Sequence, residues 1–237
     1  MIEVRNLAFS YRSKPVLRDV SFVVSPGEVV SIVGANGVGK TTLLRILATL
    51  CVPESGMVKM DGTDAFRRPL RYRRQIGYLP ENPAMYPDMT VKEYLRYRAS
   101  LKGEPSKRVR RRTNEAAEMC QVSDLMRVPI RNLSAGLRKR VALADALLLR
   151  PRVLLLDDFL AGLDRSMRQA AGDILSTAAA FSSVIVTGHE LDDFARWTSR
   201  FLVLSDGVIS AEVETAGLDP QVLKERVDLA IDGGGAR

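Results

Sequence analysis

The sequence contains very little cysteine, histidine and tryptophan, with two Cys, one His and one Trp in 237 residues. Cys51 and Cys120 lack the spacing of a metal site or a disulfide framework, so we expect reduced thiols in the cytosol. No run approaches 18 apolar residues, which excludes a helix that spans a bilayer. The first residues lack the basic-then-apolar pattern of a secretion signal, so an intracellular location is expected.

The basic residues are unevenly distributed along a chain of net charge +7. Residues 65–112 hold 14 Lys and Arg against 4 acidic residues, mainly in "RRPLRYRR" (67–74) and "KRVRRR" (107–112). A solvated helix face is the simplest interpretation, followed by contact with an anionic membrane surface or an acidic partner. Because no recognition module accompanies the charge, no nucleic-acid partner is expected.

Three apolar runs have the length of strands: "EVVSIVG" (28–34), "RVLLLDD" (152–158) and "SVIVTG" (183–188). Their nearly continuous Val, Ile and Leu content is typical of strands buried on both faces of a parallel sheet. Helical patterns follow the first run and precede the second. The sequence therefore predicts an α/β fold with a doubly wound parallel sheet.

Other segments alternate between apolar and polar residues and are separated by turns. They predict antiparallel strands at one edge of the sheet, over residues 2–11, 16–24 and 56–62. Residues 90–120 have apolar residues at helical spacing and predict helix. We therefore expect an α-helical region beside the sheet.

A phosphate-binding loop is indicated by "GANGVGKT" (34–41), which fits G-x-x-x-x-G-K-[ST]. Its backbone N–H groups would cradle phosphate, with Lys40 at the β- and γ-phosphates and Thr41 on Mg²⁺. A strand enters the loop, and the helix that leaves it points its N-terminus at the anion. The predicted nucleotide-binding residues of this segment are Gly34, Ala35, Asn36, Gly37, Val38, Gly39, Lys40, Thr41 and Thr42.

Two carboxylates end the second apolar run, in "VLLLDD" (153–158). Ligands of open α/β sheets bind at the carboxyl ends of the strands, where these residues lie. We expect Asp157 to hold Mg²⁺ through water and Asp158 to lie nearest the attacking water. A strand that merely ends in polar residues is the alternative, and the phosphate loop makes it the weaker one.

A second anion site is predicted at "LSAG" (133–136). Ser134 has the character of an N-cap, and the apolar stripe that follows runs until Pro151. A helix N-terminus offers a hydroxyl group and free N–H groups to an anion. Two anion sites 100 residues apart suggest that one nucleotide is clamped between them.

Five short motifs, in this order, resemble those of the ATP-binding cassette (ABC) ATPases. "GANGVGKTT" is similar to the Walker A motif, "LSAGL" to the signature, "VLLLDD" to Walker B, "AGLD" (161–164) to the D-loop and "TGH" (187–189) to the switch histidine. The resemblance covers about residues 1–212. It implies a P-loop NTPase fold with a RecA-like core, an antiparallel β edge subdomain and an α-helical subdomain.

The resemblance also implies an organisation of the chain. One ABC domain would cover residues 1–215, with a helical subdomain at about 83–149, and a C-terminal tail would follow at 216–237. The implied partners are a separately encoded transmembrane permease and a second cassette, identical or paired, on the inner face of the membrane. ATP and Mg²⁺ are the implied cofactors.

Roles for further residues follow from the same resemblance. In a head-to-tail dimer, the signature residues Leu133, Ser134, Ala135 and Gly136 would contact ATP bound by the other subunit. Tyr11 would stack on adenine, Asp164 would belong to the D-loop, and Glu81 would lie near Mg²⁺. His189, the single histidine, would sense the γ-phosphate and orient the attacking water together with Asp158 and Lys40.

The sequence departs from the family at Asp158, where glutamate is usual, and at Glu81, where glutamine is commonest. Loss of a methylene withdraws the carboxylate by about 1.5 Å, and a misplacement of about 1 Å costs on the order of 10²-fold in rate. We therefore predict a transport ATPase with slow hydrolysis, resembling single-domain exporter-type cassettes. The alternative is a nucleotide-gated clamp with little turnover.

Overall fold

The computed structural model describes residues 1–188 and 196–234. Within these residues ten strands form one sheet, in the order β5-β4-β1-β2-β10-β9-β3-β8-β7-β6. The strands are β1 (Ile2–Tyr11), β2 (Lys14–Val24), β3 (Val29–Val33), β4 (Ser55–Met60), β5 (Thr63–Asp64), β6 (Ile76–Leu79), β7 (Val153–Leu156), β8 (Ser183–Thr187), β9 (Arg200–Ser205) and β10 (Val208–Glu214).

The α-helices lie mainly between the strands of the parallel half and after them. They are α1 (Lys40–Leu47), α2 (Pro69–Arg73), α3 (Val91–Leu101), α4 (Ser106–Met119), α5 (Ala135–Leu147), α6 (Arg165–Ala179) and α7 (Pro220–Gly234). Within the described residues, no helix combines the length and the apolar content that crossing a membrane requires.

The parallel half of the sheet contains β9, β3, β8, β7 and β6. Every residue of β3, β7 and β8 is buried, which explains their continuous apolar sequences. The three predicted parallel strands are therefore confirmed. The two outer strands, β6 and β9, were not predicted. Each is a short apolar run, and periodicity alone does not distinguish such a run from a turn of buried helix.

The predicted antiparallel strands are also confirmed, because β1 pairs with both β2 and β4 in that direction. They do not form a separate sheet. Strand β10 pairs with β2 through Val208 and Asp19, and it pairs antiparallel with β9. Strand β2 and its antiparallel partner β1 are thereby joined to the parallel half.

The predicted helical segment at 90–120 forms two helices rather than one. Thr90 caps α3 with a capping box, in which the Glu93 N–H donates to the Thr90 hydroxyl at 3.3 Å and the Thr90 N–H donates to Glu93 Oε2 at 2.8 Å. The chain turns at Gly103, where φ is +82°, before α4 begins. Asp145 of α5 accepts from Arg98 at 3.0 Å and Lys102 at 2.7 Å, which ties α5 to the end of α3.

The segment predicted as a C-terminal tail contains a packed helix. Leu223 and Val227 of α7 are buried in the same core as the parallel strands. Burial of two large aliphatic side chains stabilises such a helix by roughly 3–6 kcal/mol. We therefore treat residues 220–234 as part of the folded domain.

Candidate functional site

The site forms where β3, β8 and β7 end side by side, because the carboxyl ends of parallel strands meet at one edge of the sheet. The phosphate loop follows β3, the two aspartates follow β7, and Gly188 follows β8. A cavity of about 250 Å³ opens between them. Its lining residues are Asn36, Gly37, Gly39, Lys40, Thr41, Thr42, Glu81, Asp157, Asp158, Thr187 and Gly188.

The phosphate loop has the backbone geometry that its glycines allow. Gly34 and Gly39 have φ of +148° and +117°, and a Cβ on Gly34 would lie 2.2 Å from the Leu204 carbonyl oxygen. Lys40 Nζ donates to the Gly34 carbonyl at 2.6 Å and to the Ala35 carbonyl at 2.9 Å. These bonds fold the loop around an ammonium group that faces the cavity.

Lys40 is only 8% exposed. Burial lowers the pKa of its ammonium, and the negative charges of Asp158 and Asp157 oppose that shift. A buried ammonium that is held only by neutral carbonyls gains more from an anion than an exposed one does. The loop therefore offers a partly desolvated cation to phosphate oxygens.

Two of the three residues predicted to lie at Mg²⁺, Thr41 and Asp157, are in direct contact, and the third, Glu81, lines the same cavity. The Thr41 hydroxyl donates to Asp157 Oδ1 at 3.0 Å. Mg²⁺ prefers such oxygen ligands and retains several waters or phosphate oxygens around one or two protein groups. The Thr41 hydroxyl and the Asp157 carboxylate are oxygen ligands of this kind, so the residues present fit Mg²⁺.

Thr187 belongs to the site although the sequence assigned it no role. Its hydroxyl donates to Asp157 Oδ1 at 2.9 Å and accepts from the backbone N–H of Asp158 at 3.0 Å. One side chain on β8 thus orients both aspartates at the end of β7. The signal was its place in "VTGH" (186–189), two residues before the predicted switch residue, His189.

Asp158 lies in the left-handed region of the backbone, with φ of +45°. Aspartate and asparagine occupy this region far more readily than other non-glycine residues. The next residue, Phe159, is buried in the core and anchors the turn. The left-handed backbone at residue 158 therefore helps to explain why an aspartate occupies this position.

Tyr11 lies in a second cavity of about 370 Å³ that shares Gly37 and Thr42 with the first. The side chain is 45% exposed, and its ring meets Phe9 edge-on at 4.9 Å. An edge-on neighbour leaves the ring face available for stacking. Val16 and Val38 add apolar walls, which suit a flat base.

The signature residues lie elsewhere. Among the described residues, none of Leu133, Ser134, Ala135 and Gly136 lines either cavity. Ser134 is exposed and caps α5, accepting from the Leu137 N–H at 3.3 Å, as predicted. Gly136 packs so closely on Met167 that a Cβ would lie 2.1 Å from its sulfur atom.

The D-loop aspartate, Asp164, caps α6 and is exposed. Its Oδ1 accepts from the Met167 N–H at 2.9 Å and from the Ser166 hydroxyl at 2.8 Å, and these bonds lower the pKa of Asp164. The remaining predicted site residue, His189, lies outside the described residues, so its role stays a prediction.

Comparison with known proteins identifies the family. The chain matches the family described as ABC transporter over residues 17–161, which is more than half of its length. The chain belongs to this family. It is an ABC ATPase with the corresponding P-loop cassette fold.

Individual relatives agree with this assignment. The chain is 33% identical over 221 residues to the uncharacterized ABC transporter ATP-binding protein YxlF of Bacillus subtilis (strain 168), covering 93% of this chain and 73% of that protein. It is 32% identical to the putrescine transport ATP-binding protein PotG of Escherichia coli (strain K12), covering 87% of this chain and 55% of that protein. The chain thus spans about half the length of PotG.

A solved structure gives the same result. A bacterial ABC transporter cassette, solved as a dimer, is 26% identical, with a TM-score of 0.81 over 92% of this chain and all of that one. The long sheet with its helical region is therefore a cassette fold.

Lys139 links α5 to the loop that follows β7. Its Nζ donates to the Ala161 carbonyl and, at 3.3 Å, to the Phe159 carbonyl, with the Asp158 carbonyl at 3.5 Å. Burial lowers the pKa of Lys139, and the negative charges of Asp158 and Glu81 oppose that shift. The cation therefore offsets the charge that Glu81 adds where glutamine is usual.

Lys139→Met is expected to lower kcat/KM for ATP about tenfold. In the Glu81→Gln variant the same substitution should lower kcat/KM by less than about threefold, because the negative charge that Lys139 offsets is already gone. Steady-state ATP hydrolysis by the four members of the cycle measures this coupling. Lys92→Met, on the exposed side of α3, is the control. Effects that add without coupling would contradict the pairing of these charges.

Proposed function

We propose that this chain is the ATP-binding and ATP-hydrolysing subunit of a transporter, and that it drives a separate membrane permease by closing as a head-to-tail dimer. One observation carries the proposal. The phosphate loop and the two aspartates share a cavity, whereas Ser134 sits exposed at the N-terminus of another helix, away from it. A second copy can bring that N-terminus to the γ-phosphate.

In this proposal each group has a defined task. Adenine stacks on Tyr11, and the backbone N–H groups of residues 35–42 surround the phosphates. Lys40 exchanges its two carbonyl partners for phosphate oxygens. Thr41 and Asp157 would hold Mg²⁺, with Glu81 nearby, and the metal neutralises charge that develops on the phosphates.

The remaining groups act on water. Asp158 would orient the attacking water and accept its proton. Thr187 fixes the two aspartates relative to each other, and Lys139 holds the loop after them. Ser134 and the Gly136 N–H of the second subunit would stabilise charge on the γ-phosphate.

The permease is proposed to contact the segment 76–91 and the helix that follows it. Tyr86 and Tyr97 are 44% and 40% exposed and pack edge to face at 5.4 Å. Exposed aromatic pairs beside the loop that carries Glu81 suit a protein partner. In this proposal the chain lies on the inner face of the membrane. PotG is named as a transport protein, while the exporter-type branch for this chain stays a prediction.

Ser134→Arg tests the composite site. Because Ser134 does not line the nucleotide cavities of its own chain, ATP affinity should change by less than about threefold. Loss of a phosphate donor in trans should lower kcat by about 10²-fold. Equilibrium nucleotide binding and steady-state hydrolysis separate the two effects, with exposed Ser100→Arg on α3 as the control. Unchanged kcat would exclude a role in trans.

The second candidate is a nucleotide-gated clamp with little turnover. It is favoured by Asp158, whose carboxylate is one methylene shorter than the usual glutamate and whose backbone is left-handed. ATP would then close the dimer without rapid hydrolysis. ATP-dependent dimerisation of the wild type, measured by analytical ultracentrifugation beside its turnover, distinguishes the two functions.

A further inference from the structure

The strongest concentration of unpaired positive charge surrounds α2 and the start of α4. We call it the basic rim, defined by six exposed residues with no carboxylate oxygen within 4.0 Å among the described residues. They are Arg68, Arg71, Arg74, Lys107, Arg108 and Arg110.

The two parts of the basic rim belong to one surface. Arg74, which directly follows α2, reaches the turn between α3 and α4, where a Cβ on Gly103 would lie 3.4 Å from its Nη2. Helix α4 begins three residues later. The cations of α2 and of the first two turns of α4 therefore flank the same turn.

A cleft with partly apolar walls lies beside the rim, and Arg74 of the rim lines it. It has a volume of about 270 Å³ and joins α2, β6 and the end of α3. Leu70 and Leu101 line it and are 76% and 58% exposed. Two exposed leucines in one cleft beside these cations place apolar and positive surface side by side, the combination that suits an interfacial ligand.

The acidic residues of this region do not neutralise the rim. Glu104 pairs with Arg112 at 3.6 Å, Asp88 pairs with Arg131 at 2.6 Å, and Glu93 caps α3. Asp64 pairs with Arg67, Glu115 with Arg111 and Arg112, and Asp145 with Arg98 and Lys102. Glu81 lines the nucleotide cavity. The positive charge therefore stays available to an outside partner.

We infer that the basic rim and its cleft bind the surface of a membrane that contains anionic phospholipids, independently of the nucleotide site. Long arginine and lysine side chains without carboxylate partners can follow the phosphates of mobile lipid headgroups. Leu70 and Leu101 can insert between these headgroups, at the boundary with the acyl chains. An acidic protein segment would need its carboxylates fixed opposite these cations, whereas lipid headgroups can move to meet them.

The test is co-sedimentation of the full chain with vesicles of phosphatidylcholine alone or mixed with phosphatidylglycerol. We expect binding only to the anionic vesicles, with loss at high salt because exposed charges are screened. Replacing Arg71, Arg74 and Arg108 together by Gln should lower the partition coefficient about 10²-fold, since each basic residue near such a surface contributes roughly fivefold.

A matched control carries the same change of net charge elsewhere. It replaces Arg12, Arg165 and Arg226, which are exposed on other elements, by Gln and should bind almost as well as the wild type. Lys40→Met should bind anionic vesicles normally, which separates this inference from the ATPase. Thermal unfolding of each variant checks its fold.

Three results would overturn the inference. Equal binding to neutral and anionic vesicles would remove its electrostatic basis. Equal losses in the rim and control triples would show an effect of net charge alone. Tighter binding to an acidic peptide than to anionic vesicles would assign the rim to a protein partner instead.

Discussion

Lys40→Met should lower kcat/KM for ATP by about 10²–10⁴-fold. The ammonium makes two hydrogen bonds here, and phosphate oxygens would take over both. A hydrogen bond to a charged group contributes about 1.5–3 kcal/mol, and each 1.4 kcal/mol is tenfold. The effect should fall on KM and kcat together, because the cation touches both bound and reacting phosphates.

Steady-state hydrolysis over a range of ATP concentrations measures this loss. Lys40→Arg is the matched control, because it keeps the positive charge but places it in a larger, planar group. That group does not fit between the Gly34 and Ala35 carbonyls, so ATP hydrolysis by this variant should also be strongly impaired. A loss of less than tenfold in Lys40→Met would mean that the phosphates lie elsewhere.

Asp158→Glu should raise kcat by about 10–10²-fold. The extra methylene moves the carboxylate back toward the attacking water, and a misplaced catalytic group lowers the rate by a similar factor. KM should change by less than about threefold, since the group acts on water rather than on bound ATP. The left-handed backbone of residue 158 sets a cost of roughly 1–2 kcal/mol in stability for glutamate, which is less suited to it.

Asp158→Asn is the matched control for this experiment. It keeps the size and the backbone preference but removes the charge, so it should hydrolyse ATP more slowly than the wild type. If Asp158→Glu is slower than the wild type as well, the turn anchored by Phe159 has already placed the aspartate correctly. The prediction of slow hydrolysis would then be wrong.

The parallel strands and the position of the site could be predicted from the sequence because both depend on local patterns. Continuous apolar runs marked β3, β7 and β8, and loops at their carboxyl ends must meet. The N-cap at Ser134 was also predictable, since a serine before an apolar stripe is a local signal.

The parts that the sequence did not predict depend on contacts between distant segments. Thr187 is a site residue only because β8 lies between β3 and β7, and Lys139 only because α5 packs against the loop after β7. Strand β10 joins the two halves of the sheet through a pairing with β2, about 190 residues away. The apolar face of α7 has weak periodicity, and its burial depends on β9 and β10 being adjacent.

The most direct test of the composite site mixes two inactive variants. In a mixed dimer of Lys40→Met and Ser134→Arg, one site carries both changes and the other is intact. An equimolar mixture should therefore recover about one quarter of the wild-type hydrolysis rate, since half of the dimers are mixed and each has one working site. A mixture no faster than the mean of its two components would contradict a nucleotide site shared between two copies.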